Sequence, residues 1–342
     1  MHIEFINVAD ITDDYKEAFI KNYRNFNDIW DKIAISDYRQ VNNPKNLETK
    51  CYFGRGSYPS RINSWQVKTN SLLYDKFIFD VNTFRELVIG FPLDNLENDE
   101  DILKYMYPID LNASSFLIDL YKKGHVEIVS TVDIWISEFD SEEYQTLKER
   151  GNLYTDKEEI DSISRKAALF PDDESNYPGL LNMMSQDIMA SYLMDSSIIT
   201  QEYSYYIERK LDDFKRIDSK HNIIDQLLNY EVPNFDSLDF KEISAIRNLR
   251  SLPHLRSKIE EASLNIDNDD YNIQEAVQNL RDELWNLALD NIEDNKYKVI
   301  VESVISNLPL VGSLISGKNL IKVEQLHKHW GYTILNMRKR TK

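Results

Sequence analysis

Short apolar runs alternate with helix-like segments in the middle third of the chain, and this order restricts the possible folds more than any other feature. Residues 71–80 form an apolar run that ends in an acid, and a helix-like segment follows at residues 83–89. A predicted helix at residues 113–123 then ends at Gly124 and leads into the strand-like residues 125–130. Because strands and helices that alternate across short turns are typical of parallel sheets, we predict an α/β fold with a largely parallel sheet.

Further segments extend this pattern. Residues 133–139 predict a helix, and the charged residues 142–161 predict a solvated helix or an insertion. A helix at residues 180–194 leads into the last predicted strand at residues 197–200, and residues 203–217 resume as helix.

The segment before the alternating region is less regular. Residues 3–8 predict a short strand and residues 13–33 an amphipathic helix, whereas residues 40–70 are rich in Asn, Pro, Gly and Ser and predict a long loop or irregular structure with short strands. Two glycines bracket Arg55 in this stretch. No predicted strand and helix surround them, and the Lys-Ser/Thr ending of a phosphate-binding loop is missing, so we interpret this motif as a turn.

Helices dominate the sequence after residue 220. Residues 240–263 and 272–293 are long helical segments that predict an antiparallel pair. We therefore predict three regions: an N-terminal extension packed on the α/β domain (residues 1–70), the α/β domain (residues 71–220), and an α-helical domain with a basic tail (residues 221–342).

The most apolar stretch, residues 299–315, is interrupted by Glu302, Asn307 and Pro309, whereas a membrane span requires about 20 uninterrupted apolar residues. We predict a broken, buried helix here and no transmembrane span. Residues 318–342 carry seven basic side chains and one acid, a local charge of +6. This tail predicts a disordered, solubilising end, with contact to nucleic acid or anionic lipid as the alternative.

The overall charge and the cysteine content exclude several classes of protein. The chain has 58 Asp and Glu against 40 Lys and Arg, which gives −18, so most of its surface repels nucleic acid and anionic membranes. Its single cysteine, Cys51, excludes an internal disulfide framework. The first residues lack a basic segment followed by an apolar one, so we predict no secretory signal and expect a cytoplasmic location.

Four acids stand next to predicted strands. Asp80 ends an apolar strand, and Glu138 lies in the helix that follows residues 125–130. Asp187 lies in the helix before the last predicted strand, and Glu202 follows that strand. Because the carboxyl ends of parallel strands meet at one sheet edge, these carboxylates can converge there, and Mg²⁺ or Mn²⁺ would hold them ionised. In the alternative interpretation, Asp80 caps a helix, Asp187 interacts with a helix dipole and Glu138 lies on a solvated face.

Three segments around these acids resemble the PIN-domain ribonuclease family over about residues 71–210. They are FIFDVNTFREL, with a strand ending in Asp and then x-Asn; FLIDLYKKGHVEIVSTVDIWISEF, with a helix, Gly, a strand and a helix carrying Glu; and DIMASYLMDSSIITQE, with Asp, a helix, a strand and Thr-x-acid. The resemblance implies a PIN-like fold with three metal ligands, a fourth acid where the family usually has Asp, and two supporting polar groups. In that order, these are Asp80, Glu138 and Asp187, then Glu202, then Asn82 and Thr200.

Two functions of different classes follow. The first is a metal-dependent endoribonuclease, in which Mg²⁺ or Mn²⁺ assists hydrolysis of an RNA phosphodiester while Arg55 and Arg61 supply local positive charge for the substrate. The helical domain would regulate this activity or bind a partner. The second is a non-enzymatic interaction or regulatory protein, such as a defence or toxin-related component, with a degenerate PIN-like scaffold. Its C-terminal helices would contact a protein partner or a second copy of the chain.

Overall fold

The structure is a computed structural model that divides into two compact units. Unit 1 comprises Met1–Val67 and Tyr74–Phe214, and unit 2 comprises Lys68–Leu73 and Lys215–Lys342. The structure describes residues 11–30, 32–41, 49–55, 62–89, 96–104, 109–151, 153, 155–156, 158, 177–199, 214–232, 234–266, 272–293 and 329–341.

Unit 1 contains a four-stranded sheet in which all paired strands run parallel. Its strands are β1 (Lys50–Phe53), β2 (Lys76–Asp80), β3 (Val126–Val129) and β4 (Ser197–Ile198), in the order β3-β2-β1-β4. This arrangement confirms the predicted α/β class with a parallel sheet. Strands β2, β3 and β4 lie within the segments that the sequence predicts as strands.

Both faces of the sheet are apolar, as expected of a parallel sheet that helices cover. On one face Phe53 and Phe77 stack against Phe79, and the ring centroids of Phe53 and Phe79 are 4.6 Å apart. On the other face Tyr52 and Ile78 belong to a buried cluster that includes side chains of neighbouring helices. Because successive side chains of a strand point to opposite faces, β1 contributes to both cores.

Helices surround this sheet. In the described part of unit 1 they are α1 (Asp13–Trp30), α2 (Tyr38–Val41), α3 (Ser64–Leu73), α4 (Val81–Ile89), α5 (Asp99–Lys104), α6 (Leu111–Lys122), α7 (Thr131–Glu138), α8 (Glu142–Glu149) and α9 (Tyr177–Leu193), and the last six residues of α3 belong to unit 2.

Local sequence signals fix the ends of the helices next to β3. The Asp110 side chain accepts hydrogen bonds from the Asn112 and Ala113 N–H groups in the first turn of α6, and the Ser130 side chain accepts one from the Asp133 N–H in the first turn of α7. Helix α6 ends before Gly124, whose φ of 77° suits a residue without a side chain. The predicted order of helix, glycine, strand and helix is therefore confirmed here.

Unit 2 is helical throughout its described part. Its elements are α10 (Phe214–Glu231), a 3₁₀ turn (Phe235–Ser237), α11 (Phe240–Arg247), α12 (Leu252–Ile266), α13 (Ile273–Glu293) and α14 (Gly331–Arg340). The single helix predicted at residues 240–263 is wrong, because the segment forms both α11 and α12. Pro253 explains the break: it has no N–H to donate and is tolerated only in the first turn of a helix, where it lies in α12.

The segment at residues 40–70, predicted as a long loop or as irregular structure with short strands, contains the short strand β1 and most of helix α3. The helix is not predicted, and it continues into the run at residues 71–80 before β2 begins. The sequence does not indicate this helix, because the polar residues Lys68, Asn70 and Ser71 occupy buried positions where a helix usually has apolar residues. Lys68 donates to the carbonyl of Asp236 at 2.7 Å, and the Asn70 amide lies 2.8 Å from a ring nitrogen of His221.

The disordered end predicted at residues 318–342 is wrong where the structure describes it. Helix α14 buries Tyr332, Ile334 and Met337, and an Arg338 guanidinium nitrogen lies 3.7 Å from the carboxylate of the buried Glu231. Apolar residues therefore anchor the described part of this tail as a helix over Gly331–Arg340.

Several predicted elements lie outside the described residues. They are the strand at residues 3–8, the apolar stretch at residues 299–315, and most of the helix at residues 203–217. Among the helices that are described, none is long and apolar enough to cross a membrane.

Candidate functional site

Asp80 is the last residue of β2 and is held by three hydrogen bonds. Its Oδ2 accepts from the Thr131 backbone N–H at 3.0 Å and from the Thr131 hydroxyl at 2.6 Å, and its Oδ1 accepts from the Asn82 N–H at 2.9 Å. Its side chain is buried, with 1% of the residue exposed. The carboxylate thus joins the ends of β2 and β3 to the starts of α4 and α7.

Asp187 reaches the same edge of the sheet from α9. It is 3% exposed, and its Oδ1 accepts from the Arg55 N–H at 2.9 Å and from the Tyr52 hydroxyl at 3.2 Å. Gly54 permits this approach, because a Cβ at that position would overlap the Asp187 carboxyl. The turn directly after β1 is therefore shaped around this acid.

Two hydroxyl groups connect these carboxylates. The Tyr52 hydroxyl lies 2.5 Å from the Thr131 hydroxyl, which in turn donates to Asp80. The resulting chain runs from Asp80 through Thr131 and Tyr52 to Asp187. Burial raises the pKa of Tyr52 well above its usual value, and the negative charges of Asp187 and Asp80 raise it further. This phenol therefore stays protonated and can donate a hydrogen bond.

A third acid, Glu86, lies close enough to Asp80 for the two carboxyl groups to interact electrostatically. Partial burial raises the pKa of its carboxyl, and the charge of Asp80 raises it further. Glu86 follows Asn82 by four residues on α4, so both residues lie on the same face of the helix. A third carboxyl group therefore lies within electrostatic range of the carboxyl end of β2.

Glu138 lies in a different contact. Its carboxylate accepts hydrogen bonds from the Tyr38 hydroxyl and the Arg39 guanidinium. The bond from Tyr38 is the main reason that the pKa of Glu138 is lowered, and burial is the main reason that the pKa of Tyr38 is raised to about 12. Glu138 follows Thr131 by seven residues, about 10 Å along the helix axis. The structure therefore places Glu138 against α2, outside the hydrogen-bonded chain of Asp80 and Asp187.

The other predicted site residues divide into two groups. Arg55 lies at the site, where its backbone binds Asp187 and its guanidinium donates to the Gln186 side chain at 3.0 Å. Asn82 contributes its backbone N–H to Asp80. The remaining three lie outside the described residues, and their roles stay predictions: Arg61, Thr200 and Glu202.

Sequence reasoning missed four residues of this site, namely Tyr52, Gly54, Glu86 and Thr131. Thr131 follows a predicted strand, as Asp80 ends one, so the argument from sheet edges that selected the acids applies to it as well. Gly54 belongs to the glycine-bracketed motif that the sequence predicts as a turn. Tyr52 carries no specific signal, because the short strands allowed for residues 40–70 have no predicted position.

The two buried aspartates meet part of what a metal ion requires. Among the residues that the structure describes, no group of three or more His, Cys, Asp or Glu side chains could hold a metal ion. Asp80 and Asp187 nevertheless present hard carboxylate oxygens. This fits Mg²⁺, which usually binds one or two carboxylates and completes its coordination with water and substrate phosphates.

Comparison with known proteins adds no family assignment. No protein-family model matches the chain, and neither the curated proteins nor the solved structures contain a match.

Proposed function

We propose that the chain is a nuclease dependent on Mg²⁺ or Mn²⁺ that hydrolyses RNA phosphodiesters, with Asp80 and Asp187 as its metal-binding acids. One observation carries this proposal: the two buried carboxylates are joined by a continuous hydrogen-bonded chain at the carboxyl edge of a parallel sheet. Ligand sites of open α/β sheets occur at this edge.

The electrostatics of the site favour a cation. Two aspartates buried at the same edge repel each other when both are ionised, and Glu86 lies close enough for the charge of Asp80 to raise its pKa. A divalent ion would offset this repulsion.

The residues present also suit phosphodiester hydrolysis. When bound, the metal supplies an activated water and neutralises charge that develops on the phosphate. Asp80 and Asp187 would hold the ion, and their hydrogen bonds fix the orientation of both carboxylates before it binds. The Arg55 guanidinium donates to the side chain of Gln186, the residue before Asp187 in the sequence, and would contact a substrate phosphate.

The choice of RNA rests on the resemblance to PIN-domain ribonucleases, which includes the Asp-x-Asn sequence of Asp80 and Asn82. A chain with a charge of −18 repels nucleic acid over most of its surface. We therefore expect a short substrate contact confined to the edge of the sheet.

The test compares Asp80→Asn and Asp187→Asn with the wild type by calorimetric titration with Mn²⁺ and by cleavage of a labelled single-stranded RNA. We expect the wild type to bind Mn²⁺ and cleave only when it is present, and both variants to lose binding and cleavage. Asp119→Asn is the matched control, because Asp119 is exposed on α6, and it should behave as the wild type. A wild type that binds no Mn²⁺, or an Asp80→Asn variant that cleaves normally, would refute the proposal.

A second candidate is the non-enzymatic scaffold, and one observation favours it. Both aspartates are buried and already accept several hydrogen bonds from the protein, and Glu138 is bound by Tyr38 and Arg39. On this account the acids stabilise the fold, and partner binding belongs to the C-terminal helices. Asp80→Asn would then lower the urea midpoint while the wild type neither binds Mn²⁺ nor cleaves RNA.

A further inference from the structure

We infer that the hydroxyl groups of Tyr52 and Thr131 form a bridge that holds Asp80 and Asp187 as one unit. Tyr52 and Thr131 are thus positioning residues of the acidic site. The effect on metal binding rests on the proposed function. The bridge itself is a property of the metal-free protein and can be tested separately.

The proton donors of the bridge follow from its contacts. Thr131 has one hydroxyl proton and donates it to Asp80 at 2.6 Å, so the Tyr52 hydroxyl must be the donor across the 2.5 Å contact to Thr131. Because a phenol has one proton, the longer contact of the same hydroxyl to Asp187 Oδ1, at 3.2 Å, is the second branch of a three-centre hydrogen bond. Tyr52 is thus shared between the two acids, directly on one side and through Thr131 on the other.

The fold leaves this bridge little freedom to move. Tyr52 is fully buried on β1, and Thr131 is fully buried at the first position of α7. The β1–β2 register pairs Tyr52 with Ile78, two residues before Asp80 on the same strand. Neighbouring parallel strands therefore fix the Tyr52 hydroxyl relative to Asp80, and helix α9 brings Asp187 against that hydroxyl.

Removing either hydroxyl should loosen the carboxylates without removing a ligand. Groups that orient metal ligands typically contribute about 10- to 100-fold to metal affinity. We expect Tyr52→Phe and Thr131→Val each to weaken Mn²⁺ binding by about tenfold or more. Because both changes break the same bridge, the double variant should bind little worse than either single variant.

Two control variants separate positioning from general loss of stability. Thr131→Ser keeps the hydroxyl and should retain Mn²⁺ affinity within about twofold of the wild type, even if its urea midpoint falls. Tyr15→Phe removes a tyrosine hydroxyl that bonds the backbone of Ile109, away from the acids. It should leave Mn²⁺ affinity unchanged.

The closing experiment measures Mn²⁺ affinity by calorimetry for five variants: Tyr52→Phe, Thr131→Val, the double variant of these two, Thr131→Ser and Tyr15→Phe. It also measures urea midpoints without metal for the wild type, Tyr52→Phe, Thr131→Val and their double variant. The bridge predicts that the double variant loses less midpoint than the sum of the two single losses. Wild-type affinity in both bridge variants would overturn the positioning role while leaving the nuclease proposal intact. Failure of the wild type to bind Mn²⁺ would refute the nuclease proposal, and additive midpoint losses would by themselves overturn the bridge.

Discussion

Replacing Gly54 with alanine should destabilise unit 1, although a Gly→Ala change at an unstrained position normally stabilises a protein. A new Cβ would lie 2.5 Å from Asp187 Oδ2 and closer still to the rest of the carboxyl, whereas ordinary contacts begin near 3.4 Å. The Asp187 side chain or the turn after β1 must therefore shift by about 1 Å. Such a shift would strain or break the bonds from Arg55 and Tyr52.

The size of the effect follows from these contacts. A hydrogen bond to a charged group contributes about 1.5–3 kcal/mol, and overpacking a core typically costs about 1–3 kcal/mol. The reduced entropy of the unfolded chain opposes this by only about 0.4–1 kcal/mol. We therefore expect a net destabilisation of about 2 kcal/mol. With a urea dependence of about 2 kcal/mol per molar, the midpoint should fall by about 1 M.

Urea unfolding followed by circular dichroism measures this shift, and amide hydrogen exchange of peptides covering β1 and β2 locates it. The control is the same change in an Asp187→Ala background. Without the carboxyl the Cβ has room, so Gly54→Ala should there be neutral or raise the midpoint. A rise in the midpoint of Gly54→Ala on its own would show that Gly54 is only a turn residue and that the reasoning about Asp187 is incorrect.

Two further predictions concern other contacts. The lowered pKa of Glu138 means that the folded state binds fewer protons than the unfolded state just below pH 4.5, so this contact stabilises the protein above that pH and is lost as the pH falls through the lowered value. Glu138→Gln should therefore lower the urea midpoint at pH 7 but less at pH 3.5, and a constant difference from the wild type, as expected for exposed Glu143→Gln, would contradict this. Arg256 donates to the Leu72 carbonyl at 2.8 Å at the end of α3, so Arg256→Ala should destabilise unit 2 by about 1–3 kcal/mol in thermal unfolding, and an unchanged melting temperature would contradict that role.

The parallel sheet could be predicted where strands carry a strong local pattern. The apolar residues before Asp80 suffice to predict β2. The glycine before β3 suffices to predict the end of α6, the strand β3 and the order of these elements. Strand β1 has only four residues, begins with a lysine and lies among polar residues, so no periodicity reveals it. The position of β1 between β2 and β4 depends on pairing with both strands, and a local sequence pattern gives no information on such pairing.

The candidate site was predictable only in part for the same reason. The position of Asp80 follows from the rule that strand ends share an edge, whereas Asp187 reaches that edge from the interior of α9. The contact of Glu138 with Arg39 joins residues 99 positions apart and depends on how α2 packs, which no spacing rule predicts. Tyr52 is one of 20 tyrosines, and its role depends on β1 lying beside β2.

The end of α3 bears on how the protein is synthesised. The Ser71 and Leu72 carbonyls accept hydrogen bonds from Arg247 and Arg256, which follow them by 176 to 185 residues. A ribosome adding about 5–20 residues per second needs roughly ten to forty seconds to make the intervening chain. During that interval the helix leading into β2 lacks both arginine donors. A nascent chain arrested before residue 247 should therefore exchange the amides of α3 faster than the completed protein does.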